Sequence, residues 1–263
     1  MTAPRPLALI TGASSGIGYQ LAQQFTTHGY DVVVAAEDDG IVAAAATLAR
    51  DGASAEAVQV DLRTAEGVAQ LYHMVTDSDQ PLAAAALNAG VGRGGKFVDT
   101  EIEDDFDIVD LNVRGTVQLA KLVLRDMAHR NSGKVLFTSS IASTMPGSYQ
   151  PVYNASKSFI QSLAEAVRDE LGDTDVTVTS LMPGPTDTNF FHRAKMADTP
   201  IGRMRYKDDP AEVARQGFEA LMRGDEKVVA ESLSTKMIGL ANKVLPDSAK
   251  AVANRLLSAP VPR

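Results

Sequence analysis

Short apolar segments alternate with longer segments of helical periodicity along most of the chain, and this alternation constrains the fold more than any other feature. The apolar segments predict strands at residues 7–11, 31–36, 57–60, 82–88, 134–139, 176–182 and 227–230. The segments between them predict helices at residues 16–28, 41–51, 64–77, 101–130, 152–171 and 210–223. Strands that alternate with helices form βαβ units with right-handed crossovers. We therefore expect an α/β fold with a doubly wound parallel sheet of about seven strands and helices on both faces.

No repeat, charge block or linker divides the 263 residues. We therefore predict a single domain over 1–263 with a core at 5–230. Residues 186–209 lack strong periodicity, and a long irregular segment of this kind is often a lid or binding loop. A mobile surface loop is the alternative. The segment 232–263 is predicted to be a variable helical segment, with one or two amphipathic helices at 235–257.

The composition indicates which classes of partner and which cellular compartment to expect. A formal net charge of -8 disfavours nucleic acid and anionic membranes as partners. No cysteine is present and the four histidines lie far apart, so we predict no metal site. The N-terminal sequence MTAPRPLALITG runs into a predicted strand without the apolar core of a signal peptide. No apolar run approaches the roughly 20 residues of a membrane helix. We expect a cytoplasmic protein that acts on a small molecule.

The sequence TGASSGIG at 11–18 joins the first predicted strand to the first predicted helix. Its glycines Gly12, Gly16 and Gly18 let the backbone approach a pyrophosphate, and the helix N-terminus offers free N–H groups. The spacing differs from G-x-G-x-x-G, and the lysine of an ATP-binding P-loop is missing. The loop therefore predicts a dinucleotide site on a Rossmann-like fold.

An acidic residue is expected roughly 20 residues further on, at the end of the second strand, where it bonds the ribose 2′-OH. Glu37 stands there, followed by Asp38 and Asp39. Three carboxylates repel a 2′-phosphate, which favours NAD over NADP. NADP remains an alternative, because Arg50 or Arg63 could alter the local field.

Tyr153 and Lys157 stand one helical turn apart in the sequence YNASK. Residues at this spacing share a helix face, so the phenol and the ammonium can point at one place. The pair alone is equally typical of a surface helix. A tyrosine pKa lies near 10, and we expect the ammonium and an oxidised nicotinamide together to lower it towards working pH.

Further motifs appear in an order and at a spacing that resemble the single-domain branch of the short-chain dehydrogenase/reductase family. They are V-D-L at 60–62, N-A-G at 88–90, L-N-V at 111–113, S-S-I-A-S at 139–143 and P-G-P-T-D-T at 183–188. The resemblance covers roughly residues 5–230. It implies an NAD(P)-dependent oxidoreductase that interconverts a secondary alcohol and a ketone by hydride transfer.

The resemblance implies a catalytic set of Asn112, Ser140, Tyr153 and Lys157. Tyr153 is then the general acid/base, and Ser140 donates a hydrogen bond to the substrate oxygen. Lys157 also holds the nicotinamide ribose. Asn112 marks a kink in the helix 101–130 that holds a water linking Lys157 to solvent. Without the resemblance, a mid-helix asparagine is commonly a solvent-facing residue.

The resemblance also implies a cofactor site. Its predicted residues are Gly12, Ser14, Ser15, Gly16, Ile17, Gly18, Glu37, Asp61, Leu62, Asn88, Ala89, Gly90, Tyr153, Lys157, Pro183, Gly184, Thr186 and Thr188. In this set Asp61 bonds the adenine ring and Thr188 bonds the nicotinamide carboxamide.

Two other functions stay open: an NADPH-dependent carbonyl reductase, and a non-catalytic dinucleotide-binding regulator on the same fold. Apolar residues in the segment 186–209 favour a partly hydrophobic substrate. An anionic group on that substrate is compatible with Arg193, Lys195, Arg203 and Arg205.

The resemblance further implies a homodimer or homotetramer built on the helices 101–130 and 152–171. The apolar positions considered for this interface are Leu119, Val123, Ile160, Leu163 and Val167. Burial of the same positions against the sheet is the alternative.

Overall fold

The computed structural model describes residues 5–49, 52–77, 80–230 and 246–260. Its strands are β1 (Leu7–Thr11), β2 (Asp31–Ala36), β3 (Ala55–Gln59), β4 (Leu82–Leu87), β5 (Gly133–Thr138), β6 (Val176–Pro183) and β7 (Lys227–Ala230). All pair in parallel, in the order β3-β2-β1-β4-β5-β6-β7 of one seven-stranded sheet. This arrangement confirms the predicted Rossmann-like parallel sheet.

The helices lie between these strands in the predicted order. They are α1 (Gly16–Thr27), α2 (Gly40–Leu48), α3 (Ala65–Thr76), α4 (Ile102–Ile108), α5 (Thr116–Arg130), α6 (Pro151–Glu170), α7 (Phe190–Arg193), α8 (Pro210–Arg223) and α9 (Asp247–Ser258). A seven-residue π-helical segment, Val109–Gly115, joins α4 to α5.

The sheet separates two apolar cores because successive strand residues point to opposite faces. In β1, Leu7 and Leu9 enter the core that contains residues of α3, α5 and α6. Ala8 and Ile10 enter the other core, with residues of α1, α2 and α8. Helices therefore cover both faces, as the alternation predicts.

Strand β4 forms against the helical propensity of its four consecutive alanines. It pairs with β1 on one side and β5 on the other. Ala84 and Ala86 pack in one core and Ala85 in the other. Tertiary pairing therefore outweighs local propensity.

Strands β1 and β4 lie side by side, and from them the chain proceeds in opposite directions across the sheet. Such a switch point leaves a crevice outside the carboxyl ends of the strands, where ligands of open α/β sheets bind.

The helical region predicted over 101–130 is present as α4, a π-helical segment and α5, with the irregularity at Asn112, where the resemblance implied a kink. The π-helical segment Val109–Gly115 interrupts the region, and Asn112 lies inside this segment. Asn112 is 1% exposed and both atoms of its amide bond to the backbone of Val91. Drawing this side chain inwards accounts for the departure from α-helical geometry, and the solvent-facing alternative for Asn112 is excluded.

Residues 186–209 contain the short helix α7 and are tied back by a parallel bridge between Thr186 and Asp208. Within the predicted helical region 235–257, α9 begins at Asp247. The residues 235–245 of that prediction lie outside the described residues, as does Arg50.

Three of the positions considered for a subunit interface are buried against the sheet instead. Leu119, Val123 and Ile160 are at most 2% exposed and belong to the core beneath α5 and α6. Leu163 and Val167 pack against the same core. Leu119, Val123 and Ile160 therefore fix helices to the sheet and are not available to a partner, whereas Leu163 and Val167 are only partly buried.

In the described ranges, none of the helices combines the length and the apolar character needed to cross a bilayer. The same ranges contain no group of three or more His, Cys, Asp or Glu residues placed to hold a metal ion.

Candidate active site

A cleft of about 250 Å³ opens at the carboxyl ends of the strands. Every residue predicted to bind the cofactor lines this cleft, and so does Ser140. Asn112 lies behind the wall of the cleft and does not line it. The structure thus brings together residues from the ends of six strands.

The glycine loop has the backbone geometry that an extended anion requires. Gly12 and Gly16 have φ of 66° and 59°, in the left-handed region that favours glycine. A Cβ on Gly18 would lie 2.1 Å from the Gly12 carbonyl oxygen, so α1 starts tightly against the loop. The N-cap residue, Ser15, makes no side-chain capping bond, and the first turn of α1 carries no acidic residue. A pyrophosphate therefore fits this cradle.

The side chain of Asn88 connects the ends of the strands next to that loop by hydrogen bonds. Its Nδ2 donates to the Thr11 carbonyl at 3.1 Å, and its Oδ1 accepts from Thr138 Oγ1 at 3.1 Å. The Thr11 hydroxyl in turn accepts the backbone N–H groups of Asn88 and Ala89. The amide of Asn88 is thereby committed to holding β1, β4 and β5 in register.

Arg63 pairs with three carboxylates at the end of the cleft that is formed by the residues after β2 and β3. Its Nη1 donates to Glu37 and, at 3.1 Å, to Asp61. Its Nε lies 3.4 Å from Asp107. Burial lowers the pKa of Arg63, but the bond with Glu37 and the three negative charges outweigh burial and raise it overall.

Asp38 also lines this end of the cleft and is oriented by local hydrogen bonds. Its Oδ2 accepts from Ser14 Oγ at 2.8 Å, and its Oδ1 accepts from the Gly40 N–H at 3.1 Å. The glycine loop is therefore linked to the acidic turn after β2.

Tyr153 and Lys157 lie near the start of α6, where Pro151 occupies the first turn and favours helix initiation. Lys157 is 5% exposed, and its Nζ donates to the Thr138 carbonyl at 2.9 Å. The same Nζ lies 5.9 Å from the centroid of the Tyr153 ring. The pair faces the cleft, and the surface-helix alternative is excluded.

Burial sets the pKa values of this pair. It raises the pKa of Tyr153 to about 12, against a smaller lowering by the hydrogen bond with Ser140. It lowers the pKa of Lys157 to about 8. Loss of water around the phenolate therefore sets the pKa of Tyr153 in the protein's own groups. The expectation that Lys157 and an oxidised nicotinamide together lower this pKa concerns the cofactor-bound protein and stays a prediction.

Ser140 and Ser139 have different partners, as strand alternation predicts. Ser140 lines the cleft, accepts the Ala142 N–H at 3.1 Å and donates to the Pro183 carbonyl at 3.4 Å. Ser139 instead donates to the Lys157 carbonyl at 3.1 Å and fixes α6 to β5.

Asn112 supports the site from behind Gly90. Its Oδ1 accepts the Val91 N–H at 2.8 Å, and its Nδ2 donates to Ser156 Oγ at 3.0 Å. A Cβ on Gly90 would lie 3.2 Å from both Asn112 Oδ1 and Lys157 Nζ. The asparagine therefore joins the loop after β4 to helix α6.

The part of the cleft beyond Tyr153 is mainly apolar. The ring of Phe190 lies 5.2 Å from that of Tyr153, between centroids. The other apolar lining residues are Ile141, Ala142, Met145, Phe191, Ile201 and Leu257.

Of the basic residues considered for an anionic substrate, Arg193 lines the cleft, whereas Arg203 and Arg205 do not. Lys195 lies 3.9 Å from Asp104.

Sequence reasoning missed Gln150 and Asn254, which also line the cleft. Gln150 precedes the YNASK motif, and only its position beside that motif could have suggested it. Asn254 lies on α9, and no local pattern connects it with residues more than 100 positions earlier.

Comparison with known proteins agrees with this geometry. Residues 6–198 match the family model described as short chain dehydrogenase. Oxidoreductase UcpA of Salmonella typhimurium is 31% identical over 81% of this chain and 79% of its own length.

Two solved structures share the fold. A short-chain dehydrogenase from Sphingobium yanoikuyae in complex with NADPH has a TM-score of 0.80 at 23% identity, over 98% of each chain. A 3-ketoacyl-(acyl-carrier-protein) reductase from Brucella melitensis complexed with NADH has a TM-score of 0.74 at 23% identity, over 85% of this chain and 96% of that one. The family match over residues 6–198 carries the assignment: this chain belongs to the short-chain dehydrogenase family of oxidoreductases.

Proposed function

We propose that this protein interconverts a secondary alcohol and a ketone by hydride transfer, with NAD as its preferred cofactor and Tyr153 as the general acid/base. The observation that carries the proposal is the grouping of Tyr153, Ser140 and Lys157 at one end of a glycine-lined cleft. A dinucleotide laid along that cleft from the glycine loop would reach this group.

A bound nicotinamide supplies a hydride to the carbonyl carbon in reduction and accepts it back in oxidation. The protein manages the proton. In reduction Tyr153 donates its hydroxyl proton to the carbonyl oxygen, giving the secondary alcohol, while Ser140 donates a hydrogen bond to the same oxygen. In oxidation Tyr153 takes the proton from the alcohol. A positioned acid–base group of this kind contributes about 10²–10⁴-fold to the rate.

The pKa values of Tyr153 and Lys157 are consistent with Tyr153 acting as the acid and Lys157 as a positive charge beside it. With a pKa of about 12, Tyr153 carries its proton at neutral pH and is ready to act as an acid. With a pKa of about 8, Lys157 is largely charged at pH 7. Oxidation requires the phenolate, which the positive charge of an oxidised nicotinamide would stabilise together with Lys157.

The acidic end of the cleft supports NAD as the preferred cofactor. Glu37, Asp38 and Asp61 line it, and Arg63, among the described residues, is already paired with Glu37, Asp61 and Asp107. A 2′-phosphate placed there would meet more negative than positive charge. An NADPH-dependent carbonyl reductase is the alternative that cofactor titration would reveal.

The proposed substrate is partly hydrophobic, because apolar side chains dominate the lining beyond Tyr153. We also propose a homodimer or homotetramer. Exposed apolar side chains on α4, the π-helical segment and α6 support this: Ile102, Phe106, Val109 and Phe159.

Tyr153→Phe tests the mechanism. We expect loss of at least about 10²-fold in turnover of a panel of ketones and secondary alcohols, with NADH affinity within about twofold of the wild type. Tyr206→Phe is the matched control, because Tyr206 is 90% exposed and lies outside the cleft. Full activity in Tyr153→Phe would refute the mechanism. A wild type that binds NADH but reduces or oxidises no member of the panel would favour the regulator.

A further inference from the structure

We propose that Asn254 is a specificity-determining residue that donates a hydrogen bond to a second, carbonyl-type oxygen of the substrate, distinct from the oxygen that reacts. The inference rests on the proposed function, because it assigns a substrate feature to the same cleft. It also assigns a role to α9, the helix that carries Asn254.

Helix α9 is docked onto the substrate end of the cleft by hydrogen bonds to two of its backbone carbonyl groups. Ser148 Oγ donates to the Ala251 carbonyl at 3.1 Å, and the Ile201 N–H donates to the Leu257 carbonyl at 2.9 Å. Ile201 and Leu257 both line the cleft. The helix therefore forms part of the wall and places Asn254 within it.

A buried chain of hydrogen bonds fixes how the Asn254 amide is turned. Gln150 Nε2 donates to Ser258 Oγ at 3.0 Å, and Ser258 Oγ donates to Asn254 Oδ1 at 3.3 Å. Gln150, Asn254 and Ser258 are 6%, 7% and 1% exposed. Because the hydroxyl of Ser258 donates, the oxygen of the amide must face it, and Nδ2 is directed away from Ser258.

The Asn254 Nδ2 group lacks a strong acceptor in the part of the chain that the structure describes. Among the described residues its acceptor is the thioether sulfur of Met145, at 3.6 Å. A thioether is a weak acceptor, and a buried amide donor without a good partner costs free energy. Both Asn254 and Met145 line the cleft, so a ligand oxygen that enters beside Met145 can take over this donor.

The surroundings define the chemical class of that ligand. The neighbouring lining is apolar, from Met145, Ile201 and Leu257, whereas the acidic lining residues follow β2 and β3 at the other end of the cleft. A ligand with an apolar body fits the apolar lining, and one additional carbonyl oxygen on it can accept the hydrogen bond of Asn254 Nδ2. We therefore infer a ketone that carries an ester, thioester, amide or second keto group. A site built to bond an oxygen discriminates against analogues that lack it.

The probes for a test are straight-chain methyl ketones and keto esters of matched chain length, with the ester at successive positions. Each is measured for kcat/KM, and its Kd for the protein with NADH is measured by calorimetry, which needs no turnover. We expect the wild type to prefer one or more keto esters. In Asn254→Leu the preference should fall about 2- to 12-fold, the equivalent of one uncharged hydrogen bond, while the plain ketone stays within about twofold.

Two variants separate recognition from support of the helix. Ser258→Ala keeps the Asn254 amide but removes the bond that orients it, so we expect a smaller loss of preference. Leu256→Ala, at a 68% exposed position of the same helix outside the cleft, should leave the preference unchanged.

The proposal is wrong if the wild type binds and converts ketones and keto esters equally well. It is also wrong if Asn254→Leu weakens both classes by the same factor, because that result indicates a purely structural role. Keto esters that bind through Asn254 without being reduced would refute the proposed function and leave this inference standing. Turnover with an unchanged preference in Asn254→Leu would refute this inference alone.

Discussion

Arg63 Nη1 donates a hydrogen bond to the carboxylate of Glu37, the acidic residue that follows β2. The pairing matters because we propose that Glu37 meets the adenosine ribose, and Arg63 is a cation beside it that could bind a 2′-phosphate. While Glu37 and Arg63 are paired, each charge partly cancels the effect of the other on a bound ribose or 2′-phosphate. We therefore expect cofactor preference to depend on the pair and not on the carboxylate by itself.

Glu37→Gln should shift cofactor preference towards NADPH. The substitution removes one negative charge and releases Arg63 from its closest partner, so we expect the ratio of NADPH to NADH affinity to rise about 5- to 10-fold, in line with about 1 kcal/mol for one charge near 4 Å in water. Fluorescence titration of both cofactors measures it, helped by the absence of tryptophan from the chain.

Asp107→Asn is the matched control for that experiment. It removes another carboxylate that pairs with Arg63, but Asp107 does not line the cleft. We expect a smaller change in the affinity ratio. A wild type that binds NADPH more tightly than NADH would contradict the proposed preference and support the carbonyl reductase.

Lys157→Met should change how stability depends on pH. Burial lowers the pKa of Lys157 from 10.5 to about 8. Above pH 8 the native state therefore releases a proton that the unfolded state keeps, so this group makes the free energy of unfolding rise with pH. Tyr153 acts in the opposite direction only above pH 10, because its pKa is raised from 10.0 to about 12.

The window for this measurement thus lies between pH 8 and 10. In it, the free energy of unfolding of the wild type minus that of Lys157→Met should increase with pH in chemical denaturation without cofactor. Lys227→Met is the control: the hydrogen bond with Glu165 raises the pKa of Lys227, so it stays charged in both states there. A flat difference for Lys157→Met would contradict the assigned direction.

Gly90→Ala should reduce turnover, but by less than the roughly 100-fold expected for a displacement of about 1 Å, because the crowding requires a shift of only a few tenths of an ångström. The new methyl group would lie 3.2 Å from Lys157 Nζ and Asn112 Oδ1, so the ammonium must move. Steady-state kinetics and thermal unfolding would be measured together. Gly172→Ala provides equal crowding, 3.1 Å from the Asp169 carbonyl, at an exposed site far from the cleft. Unchanged kcat in Gly90→Ala would show that Lys157 tolerates the shift.

Phe106→Glu should weaken self-association. Phe106 is 59% exposed on α4, which packs against α6, and Ile102 and Val109 share its helix face. A charge placed within an apolar interface is costly to desolvate. Sedimentation velocity should therefore show a shift from dimer or tetramer towards monomer. Val42→Glu, at a 60% exposed position of α2 on the opposite side of the sheet, should not alter assembly. A monomeric wild type would refute the proposed oligomer.

The sequence by itself determined the architecture and which residues of the glycine loop and the strand ends line the cleft. Apolar periodicity reports which residues face a core, and that is a local property, so the seven strands and their helices could be read in order. The glycine loop and the strand ends converge because parallel strands bring their carboxyl ends to one edge. Even Ala83–Ala86, whose propensity favours a helix, could be assigned from its place in the alternation.

Only the tertiary structure decided the features that depend on burial and on contacts between distant segments. The pKa of Tyr153 rises because packing removes water from the phenol, and sequence spacing to Lys157 does not reveal that. Arg63 meets Glu37 only once β2 and β3 are paired. Asn254 reaches the cleft only because α9 folds back onto Gln150 and Met145. Local sequence encodes periodicity and turn chemistry, but desolvation and long-range hydrogen bonds exist only after the chain has packed.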